Sequence, residues 1–427
     1  MEKLAAFVAE HIDDDTSRLI LNRAKWPDID MDLAVNCIES RRKLKGKVQQ
    51  WYDEPGLIFP RRLSAEQCSS SATGIYKAEV AEKIYRFASP AQNGFRIADL
   101  TGGLGVDSWF FSQKASQILY CEMLPELCKA ASRNFSVLSI DNITVKNVAV
   151  CAEMTGGVMS SEVGTSLFRT PEEILKDFQP DIVYMDPARR GEGGKKVFLI
   201  EDCTPDVLTL KDEIFRWSRN ILLKLSPMAD ITMVCERLGR TCREVHVVAA
   251  GGECKELLVW MDREWDGDYT IHAVELHKDA EAGIFTFSVK EEKTATYCQS
   301  SGGYEYLFEP GKALMKTGAF NLISERFSIG KLGRSTHYYV FDGKDKADML
   351  RQYGKVFMII RIDGLDKRSI KAAGKEFPHA EVTARNLPMD TDTLRKKLGV
   401  TSGDDAHIFG LKSDASGPLL FITRSIL

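Results

Sequence analysis

From residue 96 onward, short runs of consecutive apolar residues alternate with stretches whose apolar positions recur every three or four residues. The runs predict buried parallel strands, and the periodic stretches predict amphipathic helices. Strands are expected at 96–100, 117–121, 143–147, 181–185 and 220–225, with helices near 105–115, 124–137, 171–178, 206–218 and 228–239. Such alternation belongs to a doubly wound parallel sheet. The pattern then changes: EVHVVAA and CKELLVWMD flank Gly251-Gly252, so two apolar strands joined by a tight glycine turn should pair antiparallel.

Ahead of this region, FVAEHIDDDTSRLILNRAKW and DMDLAVNCIESRRKLKGKVQQWY carry helical spacing. The next stretch, DEPGLIFPRRLSAEQCSSSATGIYKAEVAEKIYRFA, reads as an irregular run, with Pro60 and Ser69-Ser70-Ser71 marking a loop and Ser64 opening a helix. Downstream, YTIHAVELHKDAEAGIFTFSVKEE predicts another hairpin. Beyond Gly302-Gly303, strands such as THYYVF and KVFMIIRI mix with helical LDKRSIKAAGKEF and TDTLRKKLG. Three regions follow: an N-terminal helical region at 1–90, an α/β domain at 91–300 and a small α/β domain at 301–427.

Composition narrows the class. The chain has 427 residues, too many for one ordinary core, and its 44% hydrophobic and 28% charged content describes a soluble globular protein. Neither a leader pattern nor a membrane-length apolar run occurs, so a cytoplasmic protein is expected. The ten cysteines include no CxxC pair, and the seven histidines form no HxH or HExxH, so reduced thiols and no metal site are expected. Net charge is −4 but unevenly spread: residues 91–300 hold 23 basic and 32 acidic groups, residues 301–427 hold 20 and 15. The basic C-terminal part is compatible with nucleic acid.

The chemistry concentrates in RIADLTGGLGVDSWFFSQKASQILYCE. A strand ending at Asp99 runs into the turn Thr101-Gly102-Gly103-Leu104-Gly105 and a helix carrying Asp107; the second strand ends at Glu122. Glycines there let backbone approach a ligand, and an acid at the second strand's tip can accept hydrogen bonds from ribose hydroxyls. An adenosine-containing cofactor satisfies both. The nicotinamide fingerprint needs glycine or alanine where this chain has Ser108, and dehydrogenase sheets normally end on a parallel strand. The acid ending the first strand suits the cationic amino-acid part of S-adenosylmethionine.

ADLTGGLGVD and YCEMLPE resemble the first two motifs of class I S-adenosylmethionine-dependent methyltransferases. The resemblance implies a Rossmann-like seven-stranded sheet with an antiparallel last strand. It also implies that Asp99, Thr101, Gly102, Gly103, Gly105, Asp107, Glu122 and Met123 bind the cofactor, with Met123 flanking adenine. Val148 stands where the family often places an acid for the adenine amine.

A second site is DIVYMDPARRGEGGKK, where the fourth strand ends at Asp186-Pro187, on the crevice side of such a sheet. Asp186 can orient a nucleophile or take its proton, and Pro187 fixes the chain there. The motif resembles the D/N-P-P-aromatic motif of amino-group methyltransferases of nucleic acids, with Ala188 for the second proline and Arg189 for the aromatic residue. It also resembles the DPPR of RNA uracil-5 methyltransferases, but LLKLSPMAD lacks their cysteine nucleophile. Arg189, Arg190, Lys195 and Lys196 are candidate phosphate contacts, while Lys224 reads as a structural cation.

EPGKALMKTGAF, KLGRSTHYYVFDG and RNLPMDTDTLRKKLGV resemble the THUMP-like domain that follows a class I methyltransferase domain in a bacterial family, and LSAEQCSSSATGIYKAEV resembles that family's preceding segment. This implies candidate RNA contacts at Arg334, Arg385, Arg395, Lys396 and Lys397. The expected function is direct methyl transfer to RNA, tRNA or rRNA, at a nucleophile positioned by Asp186-Pro187. A protein or small-molecule methyltransferase, a nucleotide-dependent oxidoreductase and a non-catalytic RNA-binding module remain open alternatives.

Overall fold

The computed structural model describes residues 2–88, 94–152, 160–161, 164–165, 167–189, 199–278, 280–299 and 304–426. They fall into two compact units: residues 1–245 with 256–268, and residues 246–255 with 269–427.

The first unit is built on strands that are apolar throughout, because helices cover both faces of a parallel sheet. Arg96–Asp99 is central. It pairs in parallel with Gln117–Glu122 on one side and Ile182–Met185 on the other. Ile143–Val150 and then Leu167–Arg169 extend the first side, and Asn220–Leu225 the second, all parallel. Glu253–Asp262 runs antiparallel to Asn220–Leu225 as expected, but the sheet holds more than the seven strands expected, so this strand is not its last. Four strands reach the turn-bearing edge with cores at Ile97, Ile118, Val183 and Leu222, each 0% exposed.

Gly251 and Gly252 have φ of +61° and +78° and join Cys242–Ala250 to Glu253–Asp262. Two consecutive left-handed residues are what a two-residue hairpin needs, and glycine adopts them without penalty. The expected hairpin is therefore present. The third strand is longer than its pattern suggested, reaching Val150, so Val148 lies within it opposite Leu167.

The N-terminal region departs from expectation. The stretch read as irregular contains the 18-residue helix Ser71–Ala88. Its buried face is Thr73, Gly74, Tyr76, Lys77, Val80, Ala81 and Ile84, so a lysine, a threonine and a glycine stand where an amphipathic pattern would show apolar side chains. Gly74 explains itself: a Cβ there would lie 2.1 Å from the Phe110 ring, so only glycine lets this helix close on Val106–Ser112. Before it, a helix covers Arg62–Gln67, placing Ser64 inside rather than at its start. Arg41 ties the preceding loop down, donating to the carbonyls of Tyr52 (2.6 Å) and Glu54 (2.9 Å).

In the second unit Thr270–Leu276 and Gly283–Ser288 form the second expected antiparallel pair. A seven-stranded sheet follows, ordered Gly330–Lys331, Tyr339–Phe341, Tyr306–Pro310, Gly354–Gly364, Gly417–Ser425, Thr401–Ser413, His379–Arg385. Only its last pair is parallel among the pairings described. Helices Lys367–Glu376 and Thr391–Leu398 contribute Ile370, Ala373, Leu394 and Leu398 to one core; Tyr338, Phe357, Phe409 and Phe421 build another. No helix among the described residues is long and apolar enough to cross a membrane.

Candidate active site

Parallel pairing brings the ends of Arg96–Asp99, Gln117–Glu122, Ile182–Met185 and Asn220–Leu225 to one edge of the sheet. The glycine turn, Glu122, Asp186 and Lys224 are therefore neighbours there, as the crevice rule for open α/β sheets requires.

The turn is held from below by packing. A Cβ on Gly102 would sit 2.1 Å from the Tyr120 ring, and one on Gly105, at φ +91°, 2.8 Å from Phe135. Gly103, at φ +55°, faces open space: among the described residues beyond its chain neighbours, the only atom within 4 Å of a Cβ there is Thr101 O at 3.8 Å. Tyr120 Oη donates to Gly103 O at 2.6 Å. Two glycines thus serve the protein's own packing, and the third presents bare backbone outward.

The acids differ in what they touch. Asp99 is 1% exposed; its carboxylate accepts from Ser108 Oγ (2.5 Å) and Thr101 N (3.0 Å). Burial pushes its pKa up to about 7 against those two bonds. Glu122 accepts from the N–H groups of Gly103 and Leu124, both at 2.8 Å, and burial raises its pKa too. Each carboxylate oxygen has a second lone pair, so Glu122 keeps acceptor capacity. Met123 beside it is 42% exposed. Asn147 Nδ2 donates to the carbonyls of Glu122 (2.8 Å) and Met123 (3.1 Å), fixing this corner.

Asp107 belongs to a buried network. It accepts from Tyr184 Oη (2.7 Å) and Ser69 Oγ (3.0 Å), with Lys77 Nζ at 3.4 Å. Burial opposes its ionisation, but Lys77 and Lys224 outweigh that and hold its pKa below the ordinary value. Lys77 is 0% exposed and also meets Glu256 and Ser69 Oγ, the latter at 2.9 Å.

At the fourth strand's end, Asp186 N donates to Thr101 Oγ1 at 2.6 Å, linking the two motifs directly. Asp186 Oδ2 accepts from Lys224 Nζ at 2.5 Å, with the lysine side chain 12% and the aspartate 38% exposed. Burial disfavours the Lys224 ammonium, yet Asp186, Asp107 and Glu256 reverse this and raise its pKa above the ordinary value. Pro187 is buried, and Ala188–Arg189 pair through backbone with Cys203–Thr204. Arg190, Lys195 and Lys196 lie outside the described residues.

The sequence pattern does not point to Ser69, Lys77, Tyr184, Ser108 or Glu256, and it marks Lys224 only as a structural cation. The signal available was a charged residue inside an apolar pattern, at ILLKL for Lys224 and YKAEV for Lys77. In the second unit Arg334, Arg385, Lys396 and Lys397 are exposed, whereas Arg395 is half-buried and meets Glu381 at 3.4 Å. Asn386 Nδ2 donates to Ser335 O and Thr336 Oγ1, setting the Arg334 loop beside the end of the strand His379–Arg385.

A Rossmann-like sheet with an antiparallel strand beside Asn220–Leu225, a glycine turn, an acid-ended second strand and a D-P turn on one edge defines the class I methyltransferase fold. Residues 354–425 match a THUMP domain-like family and residues 306–346 a ferredoxin-like domain, so the chain joins this fold to a THUMP-like C-terminal domain. Along its length it is similar to a candidate methyltransferase from Porphyromonas gingivalis W83, with 28% identity, a TM-score of 0.80, and coverage of 100% of this chain and 98% of that one. Partial likenesses include an rRNA methylase from Streptococcus thermophilus (10% identity, 43% of this chain, 94% of that one, TM-score 0.28). Another is a candidate methyltransferase from Streptococcus mutans in complex with SAH (10% identity, 43% and 96%, TM-score 0.27). No curated protein matches the sequence.

Proposed function

We propose that this chain is an S-adenosylmethionine-dependent methyltransferase acting on RNA. The observation that carries the reading is the shared edge on which Gly103 offers open backbone, Glu122 offers a carboxylate and Asp186 is bonded to Thr101 of the same turn. The residues present fit the cofactor. Gly103 leaves room for close approach, Glu122 suits ribose hydroxyls, and Met123 supplies an exposed apolar face. Asp99, buried behind the turn, shapes it through Thr101 and Ser108.

The bound cofactor supplies an electrophilic methyl group on a cationic sulfur. The protein's part is placement and charge: Thr101 fixes the backbone of Asp186 relative to the glycine turn, and alignment supplies much of the acceleration in direct transfer. Asp186 accepts a hydrogen bond from the nucleophile and can take its proton. RNA as acceptor is supported by the THUMP-like match, the 20 basic against 15 acidic groups of residues 301–427, and the exposed Arg334, Arg385, Lys396 and Lys397.

Calorimetry with S-adenosylmethionine should detect binding that Glu122→Ala abolishes. No binding by the unaltered chain sinks the cofactor reading. Tritiated cofactor incubated with total RNA from cells lacking the protein should label RNA; label confined to protein or to small molecules favours those acceptors instead.

A further inference from the structure

The Asp186–Lys224 pair shows one carboxylate oxygen and one ammonium side by side at the edge where the acceptor must sit. Oδ2 is committed to Lys224, while among the described residues Oδ1 takes no hydrogen bond. A lysine ammonium has three N–H donors, and Asp186 is the one hydrogen-bond partner of Lys224 among the described residues. Each member of the pair therefore keeps capacity for a further ligand atom.

Neither group is adventitious in position. Asp186 is fixed through its backbone N–H on Thr101 Oγ1, and Lys224 stands on the strand Asn220–Leu225 between the buried Leu223 and Leu225. Asp107 and Glu256 lie in the same charged group, so the ammonium is held charged and is no general base. With Asp186 Oδ2 on the Lys224 ammonium, the two present an acceptor next to a donor.

We infer that Asp186 and Lys224 together recognise a base edge on which a nitrogen bearing a proton adjoins a ring nitrogen or carbonyl oxygen. Asp186 Oδ1 accepts from the N–H, and Lys224 donates to the neighbouring lone pair. Resting on the proposed RNA methyltransferase reading, this narrows the acceptor to a nucleobase nitrogen. A ribose hydroxyl can also donate to Asp186 Oδ1 and accept from Lys224 on its one oxygen, so label on ribose is the competing outcome of the test. A protonated lysine or arginine side chain would bring a like charge against Lys224. Arg189, standing where related motifs have an aromatic ring, removes stacking from that position and leaves edge contacts to choose the base. Lys224 acts here as a specificity-determining residue.

The test uses the full chain, tritiated S-adenosylmethionine and total RNA from cells lacking the protein, with mass spectrometry of the labelled nucleoside. Label is expected on a base nitrogen adjoining a ring nitrogen or carbonyl. Lys224→Met should lower transfer about 100-fold while S-adenosylhomocysteine binding, measured by calorimetry, stays within about threefold, since a lost buried donor penalises the acceptor complex specifically. Lys224→Arg keeps the cation and the pairing but moves the donors; it should cut transfer about tenfold and serves if the methionine variant fails to fold. A separate readout is nucleoside monophosphate binding to chain saturated with S-adenosylhomocysteine: the nucleotide whose base is labelled should bind, and its N,N-dimethyl form, lacking the N–H, should not. Label on ribose or carbon, or transfer unaffected in both variants, overturns the inference while the RNA methyltransferase reading stands. No label in RNA from the unaltered chain overturns both.

Discussion

The ammonium of Lys77 lies 2.8 and 2.9 Å from the two carboxylate oxygens of Glu256, across 179 positions of sequence. The pair locks the helix Ser71–Ala88 to the antiparallel strand Glu253–Asp262 and is buried, with Asp107 and Ser69 completing it. Removing one member of such a pair is costly because the other charge stays buried.

Lys77→Met should therefore destabilise the chain by about 3–5 kcal/mol. Lys77→Met combined with Glu256→Leu should recover much of that loss, since no uncompensated charge remains on Glu256. Urea unfolding of the single and double variants checks this; equal losses in both would mean that the pair's charge balance is not what matters.

Two adjacent glycines of the turn, Gly102 and Gly103, should behave differently. Gly102→Ala drives a methyl into the Tyr120 ring at 2.1 Å and should cost on the order of 1–3 kcal/mol or more. Gly103→Ala meets open space, so its stability cost is that of a left-handed residue, about 1–2 kcal/mol, but its methyl occupies the cofactor side. Melting curves with calorimetric titration of S-adenosylhomocysteine should show weakened binding in Gly103→Ala at a modest stability loss.

Asp99 makes stability depend on pH in an uncommon direction. Burial lifts its carboxyl to about 7 from the ordinary 3.8, so the folded chain retains a proton that the unfolded chain has released. The stability from neutral Asp99 is complete below the unfolded value and is lost as pH rises through the folded one. Between about pH 4 and pH 8, wild type should lose roughly 2–4 kcal/mol relative to Asp99→Asn. Denaturant unfolding at both ends measures that difference, and a flat or rising difference contradicts the burial argument.

Arg243 stacks 3.9 Å from the Phe87 ring centroid and 4.5 Å from those of Trp260 and Trp265, while its Nη1 donates to the buried Asp262 at 2.9 Å. Arg219 also binds Asp262, so the acid is not stranded when Arg243 is lost. Arg243→Met should cost about 2–3 kcal/mol, less than breaking an isolated buried pair, and should change tryptophan emission. An unaltered unfolding midpoint would assign the cage no energetic weight.

The sheet was readable because its strands are buried on both faces and so appear as unbroken apolar runs such as ILYC and IVYM, bounded by Gly, Pro and acidic turn residues. The hairpin was readable from Gly251-Gly252, where two left-handed residues leave little choice. The helix Ser71–Ala88 was not, since the face it buries carries Lys77, Thr73 and Gly74, whose reasons are the partners Glu256, Ser70 and Phe110.

The same division holds at the site. Sequence spacing was enough to place Asp99, the glycine turn, Glu122 and Asp186-Pro187 at strand ends, because strand period and turn chemistry are local properties. Partnership is not local. That Asp107 would be turned inward to Ser69, Tyr184 and Lys77, that Asp99 would be spent on Ser108 and Thr101, and that Lys224 would stand against Asp186 depended on charges brought together from strands and helices far apart in the chain. A buried charge takes its meaning from its counter-charge, and only folding supplies that.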